Sequence, residues 1–295
     1  MALVLDGLTK TFSTTTAVDH LSCTMDTGVY GLLGVNGAGK TTLMRMLCTL
    51  LSPTSGRVTW QGKDIFALGA GYRALLGYLP QDFGFYPDFT VQDYLHYIAC
   101  LKGLRPATAK QRVETLLDQV GLTEVRRQKM KRLSGGMKRR AGIAQAMLND
   151  PKILILDEPT AGLDPKERIR FRNLISELSE DRLVLLSTHI VSDVEYIARE
   201  ILLMKAGRLV HHGTVQELLA AAPTRVWTCT LPRDRAEDLL RRCPVANVKT
   251  LPQGIQLRVL AQTSPVPEAA AEAMTLEDLF LYHFGETTGD SHDSL

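Results

Sequence analysis

Apolar residues in this chain fall into short continuous runs and into repeats with helical spacing, and the two kinds of segment alternate. Continuous runs, typical of strands buried in a parallel sheet, occupy 29–33, 152–156 and 182–187. The segments with helical spacing are 43–47, 91–101, 107–120 and 138–148. This alternation predicts an α/β fold for the first 219 residues.

The pattern changes after residue 219. The segment 220–223, three alanines and a proline, predicts a boundary. Beyond it, 226–231 and 255–260 alternate as half-buried strands do, and 235–242 has helical spacing. We therefore expect a first domain over 1–219 and a small α+β accessory domain over 224–284. The polar segment 285–295 predicts a disordered tail.

Composition narrows the class of protein. Apolar residues make up 45% and charged residues 22% of the chain, which is ordinary globular usage. The net charge of +2 gives no electrostatic reason to expect nucleic acid as a partner. No apolar run reaches the length of a membrane span, and the N-terminus lacks the features of a signal peptide. The cysteines show no paired spacing, so free thiols and a cytoplasmic location are expected.

The segment Gly34–Thr42, GVNGAGKTT, carries the clearest chemical signal. It lies between a strand-like run and a helix-like run, which is the context that a phosphate-binding loop requires. Glycines let backbone N–H groups surround an anion, and the helix N-terminus adds positive potential. Lys40 is predicted to bind the β- and γ-phosphates of a nucleotide, and the Thr41 hydroxyl to bind Mg²⁺.

Two acids follow the apolar run 152–156. Asp157 and Glu158 fall where the strand ends, which is where ligands bind in open α/β sheets. Asp157 is predicted to hold Mg²⁺, and Glu158 to polarise an attacking water molecule. The alternative is a strand that ends in a solvated turn.

The segment Leu133–Met137, LSGGM, precedes the predicted helix 138–148. Ser134 is a suitable helix N-cap, and its hydroxyl and the following glycine N–H groups can bind an anion. An ordinary helix cap is the alternative interpretation.

Together these segments resemble the ATP-binding subunit of an ABC transporter. The resemblance covers roughly the first 220 residues and includes the connector 161–165. Its marks, in chain order, are Phe12, the loop Gly34–Thr42, Gln81, the signature Leu133–Met137, Asp157 and Glu158, Asp164, and His189. One departure is Met137, where the family signature usually has Gln. Activity is expected to persist with this change, with an altered nucleotide affinity.

The resemblance implies a P-loop NTPase fold: a mixed sheet core, an antiparallel β subdomain, a helical subdomain at about 83–140 and the small C-terminal α+β appendage. It implies ATP hydrolysis coupled to transmembrane transport, with ATP and Mg²⁺ as cofactors. The catalytic residues are then Glu158, His189 and Gln81, and the metal ligands Thr41, Gln81 and Asp157. The nucleotide-binding residues are Phe12, Gly34, Asn36, Gly37, Ala38, Gly39, Lys40, Thr41, Thr42, Ser134, Gly135, Gly136 and Asp164.

Three of these assignments have an alternative in which the residue has no role in ATP binding or hydrolysis. Phe12, expected to stack on adenine, could instead be a core residue at a strand end. Gln81 could be a plain loop residue. His189, expected to bind the γ-phosphate, could be structural.

The resemblance also implies partners. Each ATP lies between the glycine loop of one subunit and the signature of another. A second ATP-binding subunit is therefore needed, and a second copy of this chain is favoured over a related chain. An integral membrane permease is expected, and with it a peripheral location on the inner face of the cell membrane.

The segment 274–280 is similar to the C-terminal element of exporters with separately encoded permeases. Export of a drug, peptide antibiotic or lipid-like cargo is therefore expected. The alternative is a soluble ABC ATPase acting on ribosomes or DNA. It is disfavoured because those proteins carry two cassettes or long coiled-coil insertions.

Overall fold

The computed structural model describes residues 2–285. It divides into two compact units, 1–212 and 213–295. The predicted disordered tail, apart from Gly285, lies outside the described residues, and the domain limits 1–219 and 224–284 remain a prediction. None of the described helices is long and apolar enough to span a bilayer.

The described strands and helices have the following bounds. The strands are β1 Leu3–Phe12, β2 Thr15–Met25, β3 Gly28–Leu33, β4 Ser55–Trp60, β5 Lys63–Asp64, β6 Leu76–Leu79, β7 Ile153–Asp157, β8 Leu183–Thr188, β9 Glu200–Lys205, β10 Arg208–Gly213, β11 Arg225–Leu231, β12 Val245–Leu251, β13 Gly254–Ala261 and β14 Ala270–Glu272. The helices are α1 Lys40–Leu47, α2 Ile65–Leu68, α3 Ala70–Ala74, α4 Val91–Leu101, α5 Pro106–Gln119, α6 Gly135–Met147, α7 Pro165–Leu178, α8 Val215–Ala220, α9 Arg233–Arg242 and α10 Leu276–Phe284.

A central sheet with the strand order β10-β9-β3-β8-β7-β6 organises the first unit. Strand β3 pairs in parallel with β8 and β9, and β7 pairs in parallel with β6 and β8. The carboxyl ends of β3, β6, β7 and β8 therefore lie at one edge of the sheet. The predicted glycine loop, Gln81, the two acids and His189 all follow these strand ends.

An antiparallel sheet with the order β2-β1-β4-β5 forms a second layer. In β1, Leu3 pairs with Met25 of β2 and with Trp60 of β4. These residues belong to one apolar core that also includes Met44 of α1 and Ile155 of β7. Helix α1 is thus held between the two sheets, and the loop before it is fixed to a packed core.

Helices α4, α5 and α6 pack together beside the central sheet. Their starts follow from local chemistry: Thr90 caps α4 by accepting from Asp93 N, Pro106 occupies the first turn of α5, and Ser134 caps α6. The predicted helices 91–101 and 138–148 are confirmed, although α6 begins at Gly135, three residues earlier than its apolar spacing indicated.

The second unit contains a sheet with the order β12-β13-β11-β14, in which neighbouring strands are antiparallel. Helix α9 packs on it through Leu239, which contacts a core that includes Cys229 and Leu257. The strands predicted at 226–231 and 255–260 and the helix at 235–242 are confirmed by β11, β13 and α9. Strands β12 and β14 were not predicted.

Asp278, in the first turn of α10, is the main polar group buried in the second unit. It accepts hydrogen bonds from Arg258 Nε (2.9 Å) and Nη2 (2.7 Å) and from Thr275 Oγ1 (2.7 Å). Burial opposes ionisation of this carboxyl, but the bonds from Arg258 and Thr275 outweigh it and lower the pKa of Asp278. The Arg258–Asp278 pair thereby ties α10 to β13.

Candidate nucleotide site

The glycine loop reaches its conformation through a residue, Gly39, that tolerates no side chain. Gly39 has a φ of 103°, and a Cβ atom there would lie 2.1 Å from the carbonyl oxygen of Ala17. Only glycine fits both the backbone angle and the space. Because Gly39 is the N-cap of α1, the helix begins at Lys40, earlier than the sequence spacing indicated. The backbone N–H groups of the first turn are therefore available to an anion.

Lys40 lies under this loop and is 6% exposed. Its Nζ donates to the carbonyl oxygens of Gly34 (2.7 Å) and Val35 (3.2 Å). It also lies 3.4 Å from Oε1 of Glu158, in an ion pair without hydrogen-bond geometry. The ammonium is thus held between the loop backbone and the acid.

Asp157 ends β7 and is buried. Its Oδ1 accepts from the hydroxyl of Ser187 at 2.6 Å, and that hydroxyl accepts from the backbone N of Glu158 at 2.9 Å. Its Oδ2 is buried without a hydrogen-bond partner among the described residues. A buried carboxylate oxygen without a partner is costly unless a cation meets it. This oxygen therefore fits the predicted role of Asp157 as a metal ligand.

Glu158 is also buried, at 5% exposed, so the alternative of a solvated turn is wrong. Its backbone has a φ of 46°, a left-handed conformation that non-glycine residues seldom adopt. The Oε2 atom lies 3.0 Å from Nδ1 of His189, which follows β8. The carboxylate is thus placed between Lys40 and His189.

Of these groups, Lys40 and Glu158 line a cavity of about 350 Å³, whereas Asp157 and His189 are not among its described lining residues. The loop and two residues from other strand ends line it: Asn36, Gly37, Ala38, Gly39, Lys40, Thr41, Thr42, Gln81 and Glu158, together with Ala17. Ala17, in β2, was missed because a lone small residue in a polar strand gives no chemical signal. The lining offers amides, the ammonium of Lys40, hydroxyls and the carboxylate of Glu158, which are groups that can bind a triphosphate and a hard cation.

Comparison with known proteins decides the family. The family model described as ABC transporter matches residues 18–161. The chain is 37% identical over 243 residues to the uncharacterized ABC transporter ATP-binding protein YxlF of Bacillus subtilis, and the match covers 82% of this chain and 80% of the relative. The chain belongs to the ABC transporter ATP-binding proteins.

Two further relatives extend this result. The probable multidrug ABC transporter ATP-binding protein YbhF of Escherichia coli is 35% identical over 99% of this chain, which spans about half of that relative, 51% of its length. The structure of cbiO1 from Clostridium perfringens, part of the ABC transporter complex cbiONQ, superimposes with a TM-score of 0.69 at 29% identity, covering 74% of this chain and 90% of that one. The predicted fold class is confirmed, and the protein is an ATPase.

Phe12, predicted to stack on adenine in this ABC protein, lies outside the loop cavity. Phe12 is 46% exposed at the end of β1, with Lys10 Nζ 5.2 Å from its ring centroid. The alternative that Phe12 belongs to the core is therefore wrong. It is not among the described residues that line the loop cavity, and its stacking on adenine stays a prediction.

The ABC signature forms a separate surface with Asp164. Ser134 Oγ accepts from Met137 N at 3.2 Å and caps α6, as predicted. Asp164 Oδ1 accepts from Glu167 N at 2.9 Å and caps α7. A Cβ at Gly136 would lie 2.6 Å from Glu167 Oε2, so the two helix starts touch. Among the described residues, neither Ser134, Gly136 nor Asp164 lines the cavity at the glycine loop of the same chain.

Gln81 connects the two regions. Its backbone carbonyl accepts from Nη1 of Arg139 in α6 at 2.6 Å. Gln81 also borders a second cavity of about 280 Å³, beside Gly135 and Leu163. Burial lowers the pKa of Arg139, against the opposing charges of Asp82, Asp157 and Glu158. Sequence reasoning missed Arg139 as the link between the Gln81 loop and the signature helix.

Proposed function

We propose that this chain pairs with a second ATP-binding subunit around two ATP molecules and drives a separate integral membrane permease. The observation that carries this proposal is the separation of Ser134 and Gly136 from the loop cavity. The sequence holds one glycine loop and one signature, and the signature residues do not line the cavity that Lys40 enters. A head-to-tail pair brings the signature of one subunit to the loop of the other.

In this arrangement the chemistry is phosphoanhydride hydrolysis, which needs positioning and charge stabilisation. Lys40 and the loop amides bind the phosphates, and Ser134 and Gly136 from the other subunit complete the anion site. Glu158 orients and deprotonates the attacking water, and His189 contacts the γ-phosphate.

The metal role rests on three residues of this chain. Thr41, Asp157 and Gln81 would hold Mg²⁺, which neutralises phosphate charge when bound. The partnerless Oδ2 of Asp157 and the positions of Thr41 and Gln81 at the loop cavity support this assignment.

We further propose that the permease exports a drug, peptide antibiotic or lipid-like cargo. This chain binds the permease at the inner face of the cell membrane. Two observations support export. The relative YbhF is named a probable multidrug transporter protein. The C-terminal segment 274–280, which contains the start of α10, is similar to that of exporters with separate permeases.

A complementation experiment tests the shared site. Lys40→Ala removes the loop cation, and Ser134→Ala removes the signature hydroxyl, so each variant alone has no intact site in a homodimer. In a mixed dimer, the loop of the Ser134 variant meets the signature of the Lys40 variant, and one intact site forms. We expect the mixture to hydrolyse ATP faster than either variant alone.

The matched control mixes Lys40→Ala with Glu158→Gln. Both changes affect the same half of the site, but they fall on different copies, so each composite site keeps one defect and no recovery is expected. Glu158→Gln alone should retain ATP binding and lower turnover by a factor on the order of 100. A mixture of Lys40 and Ser134 variants that stays inactive, or a Ser134 variant fully active as a verified monomer, contradicts the shared site.

The transport role has its own test. Affinity purification of the wild-type chain from its native membranes should recover a protein with several membrane spans, and purified wild-type complex should show ATPase stimulation by cargo. Recovery of ribosomal or DNA-bound material without such a protein contradicts the transport role.

A further inference from the structure

Asp193 is a buried carboxylate that has no role in the mechanism given above. It ends the short 3₁₀ turn Val191–Asp193 and is 1% exposed. Its Oδ2 accepts a short hydrogen bond from Thr160 Oγ1 and a longer one, 3.4 Å, from Thr188 Oγ1. Its Oδ1 is buried without a hydrogen-bond partner among the described residues.

The two threonines belong to the two segments that carry the reactive groups. Thr160 lies two residues after Glu158, and Thr188 lies directly before His189. Both threonines are fully buried. One oxygen atom of Asp193 therefore contacts both the segment after β7 and the end of β8.

Packing alone does not explain a carboxylate at this position. A buried acid whose partners are neutral hydroxyls costs free energy, and an apolar side chain of similar size would cost less. A single oxygen atom that accepts from two hydroxyl groups fixes the distance between the segments that carry them. The turn is held from outside as well, because Arg172 Nη1 donates to Ser192 O at 2.6 Å.

Glu158 needs such support. Its left-handed backbone is strained, and strained residues persist only where the surroundings hold them. Its backbone N is bonded to Ser187, and its carboxylate lies 3.0 Å from His189. Thr160, held by Asp193, restrains the chain on the other side of Glu158.

We propose that Asp193 is a positioning residue for ATP hydrolysis. Its carboxylate holds Thr160 and Thr188 together and so keeps Glu158 and His189 at the distance that the reaction requires. Among the described residues, Asp193 does not line the cavity at the glycine loop. The inference rests on the roles of Glu158 and His189 given under the proposed function.

The test compares ATP affinity with the rate of hydrolysis in a single turnover, using the full chain in its assembled form. Asp193→Ala should lower the rate on the order of 10- to 100-fold, because a small displacement of reacting groups has effects of that size. The dissociation constant for ATP should stay within about twofold, since the glycine loop is untouched. Asp193→Asn keeps an acceptor oxygen for both threonines and should restore most of the rate.

Thr160→Val provides a second route if Asp193→Ala folds poorly, because it removes only the hydroxyl from a side chain of similar shape. It should reproduce the loss, and adding Asp193→Ala to it should lower the rate little further. The matched control is Asp278→Ala in the second unit. Asp278 is also buried and also accepts from a threonine hydroxyl, Thr275, so its loss should lower stability and leave the rate of the folded protein unchanged.

Three results overturn the proposal: a wild-type rate in Asp193→Ala and Thr160→Val, a parallel loss of ATP affinity and rate, or an equal loss of rate in Asp278→Ala. These results are distinguishable from failure of the proposed function. If the proposed function fails, Glu158→Gln itself turns over ATP normally. If only the inference about Asp193 fails, Glu158→Gln is inactive and Asp193→Ala is active.

Discussion

The ammonium of Lys40 lies 3.4 Å from Oε1 of Glu158, and both side chains are almost completely buried. The group predicted to bind phosphate and the group predicted to activate water are thus direct electrostatic partners. A nucleotide phosphate that engages Lys40 must compete with the carboxylate and with the carbonyl oxygens of Gly34 and Val35 for the same ammonium. The proposed binding of ATP at Lys40 would therefore release Glu158 from its cation.

Replacement of Lys40 should lower the affinity for ATP. We expect Lys40→Ala to weaken ATP affinity by about ten- to a hundredfold, because a charge-assisted contact to phosphate is lost from a buried site. Equilibrium titration with a fluorescent ATP analogue measures this. Lys63→Ala, at an exposed lysine of β5, is the control and should bind normally. Unchanged affinity in Lys40→Ala would remove Lys40 from the phosphate site.

Replacement of Asp157 should change the metal requirement. Asp157→Asn keeps the shape of the side chain and its acceptor for Ser187 but removes the charge beside the partnerless Oδ2. We expect the Mg²⁺ concentration for half-maximal ATPase activity to rise about tenfold or more. A magnesium titration at saturating ATP measures it, with the exposed Asp181→Asn as control. The same magnesium dependence in both variants would contradict the ligand role of Asp157.

Gly39 should be irreplaceable on steric grounds. An alanine Cβ there would lie 2.1 Å from Ala17 O, a backbone atom that cannot move without disturbing β2. We expect Gly39→Ala to abolish nucleotide binding and to lower the melting temperature. Gly71→Ala is the control, since Gly71 has an ordinary φ and nothing within 4 Å of its Cβ position. Normal binding by Gly39→Ala would show that the loop has another conformation.

The Arg258–Asp278 pair predicts a pH dependence for the second unit. Because the pKa of Asp278 is lowered in the folded state, its contribution to stability is present above the unfolded-state value and is lost as the pH falls through the folded-state value. At neutral pH, Asp278→Asn should lower the free energy of unfolding by about 1 to 3 kcal/mol. The difference should shrink below about pH 4.

Trp227, in β11, reports on this unit. Its indole N–H donates to Ala261 O at 3.0 Å, so its fluorescence should change when the sheet opens. Urea unfolding followed at Trp227 in a Trp60→Phe background gives the free energy at each pH. A stability difference that is constant from pH 7 to pH 3 would contradict the charge-based role of Asp278.

The sequence predicted those parts of the fold in which one local signal dominates. The bounds of α4 agree with its apolar spacing, and the glycine loop places β3 and α1 through the chemistry of Gly39 and Lys40. Strand β12 was missed because it lies at a sheet edge and exposes most of its residues, so it carries no alternation of buried and exposed positions.

The candidate site was predictable as a set of residues but not as a network. Motif spacing identifies Glu158 and His189, whereas the ion pair between Glu158 and Lys40 depends on how β3 and β7 are placed about β8. Asp193 gave no motif at all. Its signal is an acid between the apolar residues Val191 and Val194, which indicates a buried polar group only once the turn is known.

The left-handed backbone at Glu158 has a consequence for laboratory evolution of this chain. A glycine at this position would relieve a conformational cost of about 1 to 2 kcal/mol and would remove a carboxylate from the protein interior. A mutant screen that selects for thermal stability alone should therefore enrich glycine at position 158. The selected proteins would be more stable but would lack ATPase activity. Stabilised versions of this chain need a catalytic readout at every round.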